Sequence, residues 1–268
     1  MASITRGYVN GKEIRLAYVD FGGSGEYVVL LHGLMSRAIN WYETALWLKE
    51  RYHVIGFDQR GHGRSEKPSI NYSREIMIED IAITMRELSI HNSIVMGHSM
   101  GASIAWGLAV MHPELVKALI IEDKSAQALP KEALEDWEEF FKSWPVPFSC
   151  LKEARQFFGN LHPTYADHFI EVLEEKELGY YPIFNFEHLL KLLSLRIEKS
   201  KWDELEQIKC PTLIIKGGDS SFQRDDAKKM SKLIKNCQLI EIPNAGHVVH
   251  DDQPEQFRNA IENFLLEL

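Results

Sequence analysis

Cysteine is scarce in this chain. There are three, Cys150, Cys210 and Cys237, far apart, odd in number and without C-x-x-C spacing. That argues against a disulfide framework and against a thiolate zinc site. No apolar run reaches the roughly 18–20 residues that cross a bilayer, so no membrane association is expected. The opening residues, MASITRGYVNGKEIRLAYVD, lack the apolar core of a secretory signal. The expected location is the cytoplasm. Positive charge is also short, with 30 Lys and Arg against 39 Asp and Glu and a formal net charge of −9. Nucleic acid needs clustered cations. The densest basic run, KKMSKLIK at 228–235, reads as the solvated face of a helix, so no nucleic-acid partner is expected.

What the chain has is apolar material, 45% of 268 residues. That suffices for one large domain, or one domain with an insertion. Strand-like and helix-like segments alternate. EIRLAYVDFG (13–22) follows the turn signal Asn10-Gly11 and predicts a hairpin. YVVLLHG (27–33), HVIGFD (53–58), SIVMG (93–97), VKALIIED (116–123), CPTLIIKGG (210–218) and CQLIEIP (237–243) are unbroken apolar runs, as in strands buried on both faces. Between them lie helical patterns at 40–52, 73–88 (Ser73 a plausible N-cap), 99–112 and 254–268 (Pro254 at the start). Residues 126–200 break the rule. They hold no clear buried strand and carry eight of the thirteen Phe at helical spacing, which predicts an inserted helical layer. Alternation of this kind implies a mostly parallel sheet covered by helices on both faces. Ligands bind such sheets beyond the carboxyl ends of the strands.

At one such end stands Gly97-His98-Ser99-Met100-Gly101, a G-x-S-x-G pattern between a strand and a helix. Alone it is weak, since chance supplies it in roughly one chain in ten of this length. Its context is more specific. A sharp strand-to-helix turn strains the serine backbone, and glycines two residues either side relieve the clashes. Ser99 then sits at a helix N-terminus, where negative charge is favoured. A serine hydroxyl needs a base. Of eleven histidines, His247 in IPNAGHVVHDDQP lies after the last strand, and it is the candidate. His250 reads as a loop or helix-start residue, His98 as packing, and His32 and His62 as braces of their loops. The oxyanion needs preorganised donors. These are the amides of Met100 and of Leu34 in the loop after the strand at 27–31. The acid is open at this level: Glu122 and Asp123 follow one strand, Asp219 another, and all precede His247 in the chain. An acid not used is expected to be a solvated loop carboxylate.

LLHGLMSRAINW, GFDQRGHGRSEKP, GHSMGASIAW, CPTLIIKGGDSS and IPNAGHVVHDDQPEQF resemble landmarks of the α/β-hydrolase family, in family order and over nearly the whole chain. The resemblance implies an eight-stranded sheet, a core of residues 1–125 and 201–268, and a helical cap at about 126–200. It also bears on the acid. The common family pattern after the seventh strand is G-x-x-D, but here Gly217 is followed three positions later by Ser220. That is similar to a branch of small cytoplasmic esterases in which the acid stands at the end of the sixth strand. The matching residue is Asp123, with Asp219 the alternative.

The implied chemistry is a Ser99–His247–Asp123 triad forming an acyl-enzyme, with no metal or organic cofactor. The cap is expected to line an apolar pocket with some of Trp137, Phe140, Phe141, Trp144, Phe157, Phe158 and Phe186. The first expectation is a carboxylesterase for small to medium acyl esters, its partner a small-molecule ester. The oxyanion loop resembles the family's G-x type, which goes with such substrates. A thioesterase, a lactonase or a C–C bond hydrolase would use the same triad. A haloalkane dehalogenase is disfavoured, because position 99 is not Asp. From another class, the fold could serve as a catalytically idle small-molecule receptor.

Overall fold

The structure, a computed structural model, describes residues 4–195, 197 and 199–268. Strands β1 (Thr5–Asn10) and β2 (Arg15–Gly22) form the expected antiparallel hairpin after Asn10-Gly11. Then follow β3 (Tyr27–Leu31), α1 (Tyr42–Leu48), β4 (His53–Asp58), α2 (Arg74–Glu87), β5 (Ser93–His98), α3 (Met100–Met111) and β6 (Val116–Glu122). Ser73 caps α2, its hydroxyl accepting from Ile76 N–H at 3.3 Å. An insertion comes next: α4 (Ala133–Lys142), α5 (Leu151–Leu161), α6 (Tyr165–Ile170), β7 (Leu173–Lys176), β8 (Gly179–Pro182) and α7 (Phe186–Ser194). The chain returns through α8 (Trp202–Leu205), β9 (Thr212–Gly217), α9 (Arg224–Leu233), β10 (Cys237–Ile242), α10 (Val249–Asp252) and α11 (Pro254–Leu266).

Eight strands form one sheet in the order β1-β2-β4-β3-β5-β6-β9-β10. β2 runs antiparallel to β1 and β4, and the remaining pairs are parallel. Every residue of β5 and β9 is buried, because helices cover both faces. Val29, Leu31, Val95, Leu119 and Ile214 point into one core with α2 and α3. Their neighbours Val28, Leu30, Ile94, Ile120 and Ile215 point into the other, with Trp41, Phe257 and Phe264. Each fully buried aliphatic side chain stabilises the fold by about 1.5–3 kcal/mol. The lysines of the basic run, Lys228, Lys229, Lys232 and Lys235, are exposed. Among the described residues no helix is long and apolar enough to cross a membrane.

The insertion has an aromatic core, which Met35 from the turn after β3 also enters. Phe141, Trp144, Phe148, Phe158, Phe169 and Phe184 are buried in it. Trp144 is the hub, its ring 4.7 Å from that of Phe158 and edge-on to Phe140, Phe184 and Phe186. The segment is not wholly helical. The LEEK and GYYP stretches pair as an antiparallel ribbon, β7 with β8. Its side chains are exposed or half-buried, so no buried run in the sequence announces it. Trp144→Ala is expected to cost about 3–5 kcal/mol of unfolding free energy, read from urea denaturation. A loss below about 1 kcal/mol would mean that the cluster is not a packed core.

Candidate active site

The nucleophile candidate sits where the sequence places it, between β5 and α3. Ser99 has φ 50° and ψ −110°, outside the comfortable regions for an L-residue. A Cβ on Gly97 would stand 2.3 Å from the Gly101 carbonyl oxygen, and one on Gly101 2.1 Å from that of Leu31. Both positions therefore exclude any side chain. Ser99 N–H donates to Glu122 O at 3.0 Å, tying the turn to the end of β6. Met100 is the first residue of α3, so its N–H is one of the amides that the helix leaves free.

Leu34 lies in a tight turn in which Ser36 N–H donates to Gly33 O (3.3 Å) and Met35 has φ 63°. His32 braces this turn. Its Nδ1–H donates to Gly33 O at 2.7 Å, and its Nε2 accepts from Gln59 N–H at 3.0 Å. Burial pushes the His32 imidazole down to about 4, matching the neutral tautomer those bonds require. His62 is buried likewise, pushed down to about 3, with Nδ1–H donating to Arg60 O at 2.9 Å. Among the described residues, neither Leu34 N–H nor Met100 N–H donates to a protein acceptor.

His247 Nδ1–H donates to Asp123 Oδ2 at 2.7 Å. Asp123 Oδ1 accepts from Gly217 N–H (2.9 Å) and from the Ser220 hydroxyl (2.8 Å). The carboxylate is wholly buried, while the imidazole is 40% exposed. Asp219, by contrast, is exposed. Ser220, which stands where the common pattern has Asp, is thus a donor to Asp123. His98 does more than pack: its Nε2–H donates to His247 O at 2.8 Å. Ser99 and His247 line one cavity of about 360 Å³, with no hydrogen bond between them among the described residues.

The expectation that an unused acid is solvated holds for Asp219 and fails for Glu122. Glu122 is fully buried and accepts from His250 Nδ1–H (2.8 Å) and from His250 N–H (3.0 Å). His250, expected at a helix start, is on α10 but deep inside, stacked on Trp41 at 4.3 Å. Burial alone pushes this imidazole down, but the Glu122 and Asp251 carboxylates outweigh it and hold the group up at about 9. Two imidazole–carboxylate pairs thus arise from neighbouring positions, one facing the cavity and one sealed.

Of the seven aromatic residues expected at the pocket, Trp137 and Phe140 line the cavity with Leu34, Met35 and Phe169. The other five do not. Phe141, Trp144 and Phe158 are buried in the core of the insertion, and Phe157 and Phe186 pack against it. Helical spacing of aromatics cannot separate the face toward the cavity from the face toward neighbouring helices. Sequence reasoning missed Ser36, Tyr165 and His168, which also line the cavity; Ser36 lies inside the quoted landmark LLHGLMSRAINW, and no motif marks the other two. His168, His250 and Asp251 bring potential metal-ligand atoms within 4.8 Å of one another. Both ring nitrogens of His168 are already engaged, by Ser36 and Asp251. An imidazolium at His250 has no lone pair to offer. The donor set suits protons better than a cation.

A family profile for the alpha/beta hydrolase family matches residues 28–260, and the chain belongs to that family. Among its relatives is 2-(acetamidomethylene)succinate hydrolase of Mesorhizobium japonicum, 27% identical over 250 residues that cover 91% of this chain and 89% of that one. The crystal structure of E-2-(acetamidomethylene)succinate hydrolase superimposes with a TM-score of 0.90 at 25% identity, covering 98% of this chain and 99% of that one. A marine microorganism esterase superimposes with a TM-score of 0.79 at 27% identity, covering 93% and 98%.

Two outcomes are expected from this geometry. Asp123→Asn should lower kcat on the order of 10⁴-fold, while Asp219→Asn changes it by less than about twofold; the reverse ranking would move the acid to the loop after β9. The second concerns stability. A histidine raised from 6.5 to about 9 in the folded state contributes stability that is complete below about pH 6.5 and is lost as pH rises through about 9. Urea midpoints of the wild type should fall across that window, and Glu122→Gln should flatten the fall. A wild-type midpoint that does not change there would show that His250 is neutral.

Proposed function

We propose that this hydrolase is a serine carboxylesterase for small, uncharged acyl esters. The observation that carries it is the buried Asp123 carboxylate, held by Gly217 and Ser220, on His247 Nδ1–H in the cavity that Ser99 also lines. Asp123 keeps the proton of His247 on Nδ1, so Nε2 is free to take one from Ser99 as Oγ attacks the ester carbonyl. The free amides of Leu34 and Met100 are the donors for the oxyanion. The imidazolium then protonates the leaving alkoxide, and water repeats the sequence on the acyl-enzyme. The insertion acts as a cap, supplying Trp137 and Phe140 to the cavity.

Size and charge narrow the substrate. A cavity of about 360 Å³ is at the small end of the range of about 300–1,000 Å³ for ligand pockets. Among the described residues no Lys or Arg lines it, and Asp136 does. Among the described residues, an acyl group bearing carboxylates would find no lysine or arginine to pair with there. Hydrolysis of p-nitrophenyl esters from acetate to palmitate tests the reading. Turnover is expected at short and medium chains, to fall off at palmitate, and to drop at least about 10⁴-fold in Ser99→Ala. Equal turnover by Ser99→Ala would remove the nucleophile. A folded wild type that binds esters without hydrolysing any would favour the receptor instead.

A further inference from the structure

A second hydroxyl–imidazole–carboxylate chain lies in the same cavity. Ser36 Oγ is 2.6 Å from His168 Nε2, and His168 Nδ1–H donates to Asp251 Oδ2 at 2.8 Å. Ser36 and His168 are both buried and both line the cavity with Ser99 and His247. The three residues come from three places: Ser36 from the turn that holds Leu34, His168 from α6 of the insertion, and Asp251 from α10, four residues after His247. Asp251 accepts only, so Nδ1 of His168 carries a proton; a neutral ring then accepts the Ser36 hydroxyl at Nε2.

The same stretch of the insertion grips both loops elsewhere. Asn40 Nδ2–H donates to His168 O at 2.8 Å. The Thr164 hydroxyl donates to Asp252 Oδ1 at 2.7 Å, and Asp252 Oδ2 accepts Gly246 N–H, next to His247, at 2.7 Å. Residues 164–168 therefore bridge the turn after β3 and the segment that carries His247. That turn needs holding. Met35 is in a left-handed conformation, which costs of order 1–3 kcal/mol unless the surroundings impose it. Ser36 Oγ supplies a buried polar tie from the turn to the insertion, beside the more exposed Arg37–Glu171 pair at 2.9 Å.

We propose that His168 is a positioning residue for catalysis. Through Ser36 it fixes the turn that presents Leu34 N–H, and through Asp251 it fixes the segment that carries His247. Oxyanion donor and base reach working geometry together only while α6 is seated. Ser36 is a strut in this arrangement, not a second nucleophile. The inference rests on the serine-esterase reading.

The test compares wild type, Ser36→Ala, Ser36→Thr, His168→Gln and the double variant Ser36→Ala/His168→Gln. Each is assayed on p-nitrophenyl butyrate and labelled with a fluorophosphonate, well below its melting temperature. Misplacing catalytic groups by about 1 Å costs roughly 100-fold. Ser36→Ala and His168→Gln are expected to lower kcat by about 10- to 100-fold with KM within about threefold. Labelling of Ser99 should slow in step, and Ser36→Thr should recover most of the rate. The double variant should lose no more than the worse single one, because both break one chain. Folded variants with wild-type kcat, a loss confined to KM, or additive losses would each overturn the inference. Wild type that neither turns over nor labels would bring down the serine-esterase reading, and this inference with it. Wild type that does both, beside variants that match it, would bring down this inference alone.

Discussion

A hydrogen bond of 2.7 Å joins His247 to Asp123 across 124 positions of sequence. The carboxyl end of the sheet is organised around it. Asp123 is wholly buried, so its charge needs donors, and it finds them in Gly217 N–H and the Ser220 hydroxyl as well as in His247. An uncompensated carboxylate at that depth would be costly. The end of β9, the end of β6 and the loop after β10 must therefore meet at one point. The imidazole is the outer member and remains open to the cavity, where a proton can be exchanged.

Beside this pair runs another of the same chemistry and a different use. Glu122 and His250 are displaced by one residue from Asp123 and by three from His247, and both are sealed from solvent. Glu122 is the last residue of β6, and the left-handed backbone of Asp123, φ 45°, turns the next carboxylate to a different environment. His247 lies in the bend before α10 and His250 inside that helix, which separates them in the same way. The inner pair anchors α10 against the core with Trp41 stacked on it. His98 then holds the backbone of His247 from below. The outer pair is supported by an inner one whose members could not be told from it by residue type.

The insertion meets the core through polar contacts as well as apolar ones. Its own aromatic cluster gives it internal rigidity. Its grip on the loops beside Ser99 and His247 is made by hydrogen bonds from Thr164 and His168.

The sequence by itself determined the sheet, because unbroken apolar runs at regular spacing can be buried only between two helical layers. It also determined the Ser99 turn, because glycines at 97 and 101 stand where backbone contacts leave no room for a Cβ. It marked His247 by its place after the last strand. It did not separate Asp123, Asp219 and Glu122: three carboxylates at strand ends look alike until distance sorts them into a partner of His247, an exposed residue and a partner of His250. Nor could it divide Trp137 and Phe140 from Phe141 and Trp144, since helical period shows that a face is apolar and not what it packs against. The ribbon of β7 and β8 had no signature, and nothing linked Ser36, His168 and Asp251, although Ser36 and Asp251 stand inside quoted landmarks. Both are made of contacts whose pairing the local sequence does not show, and only the folded backbone brings those residues together.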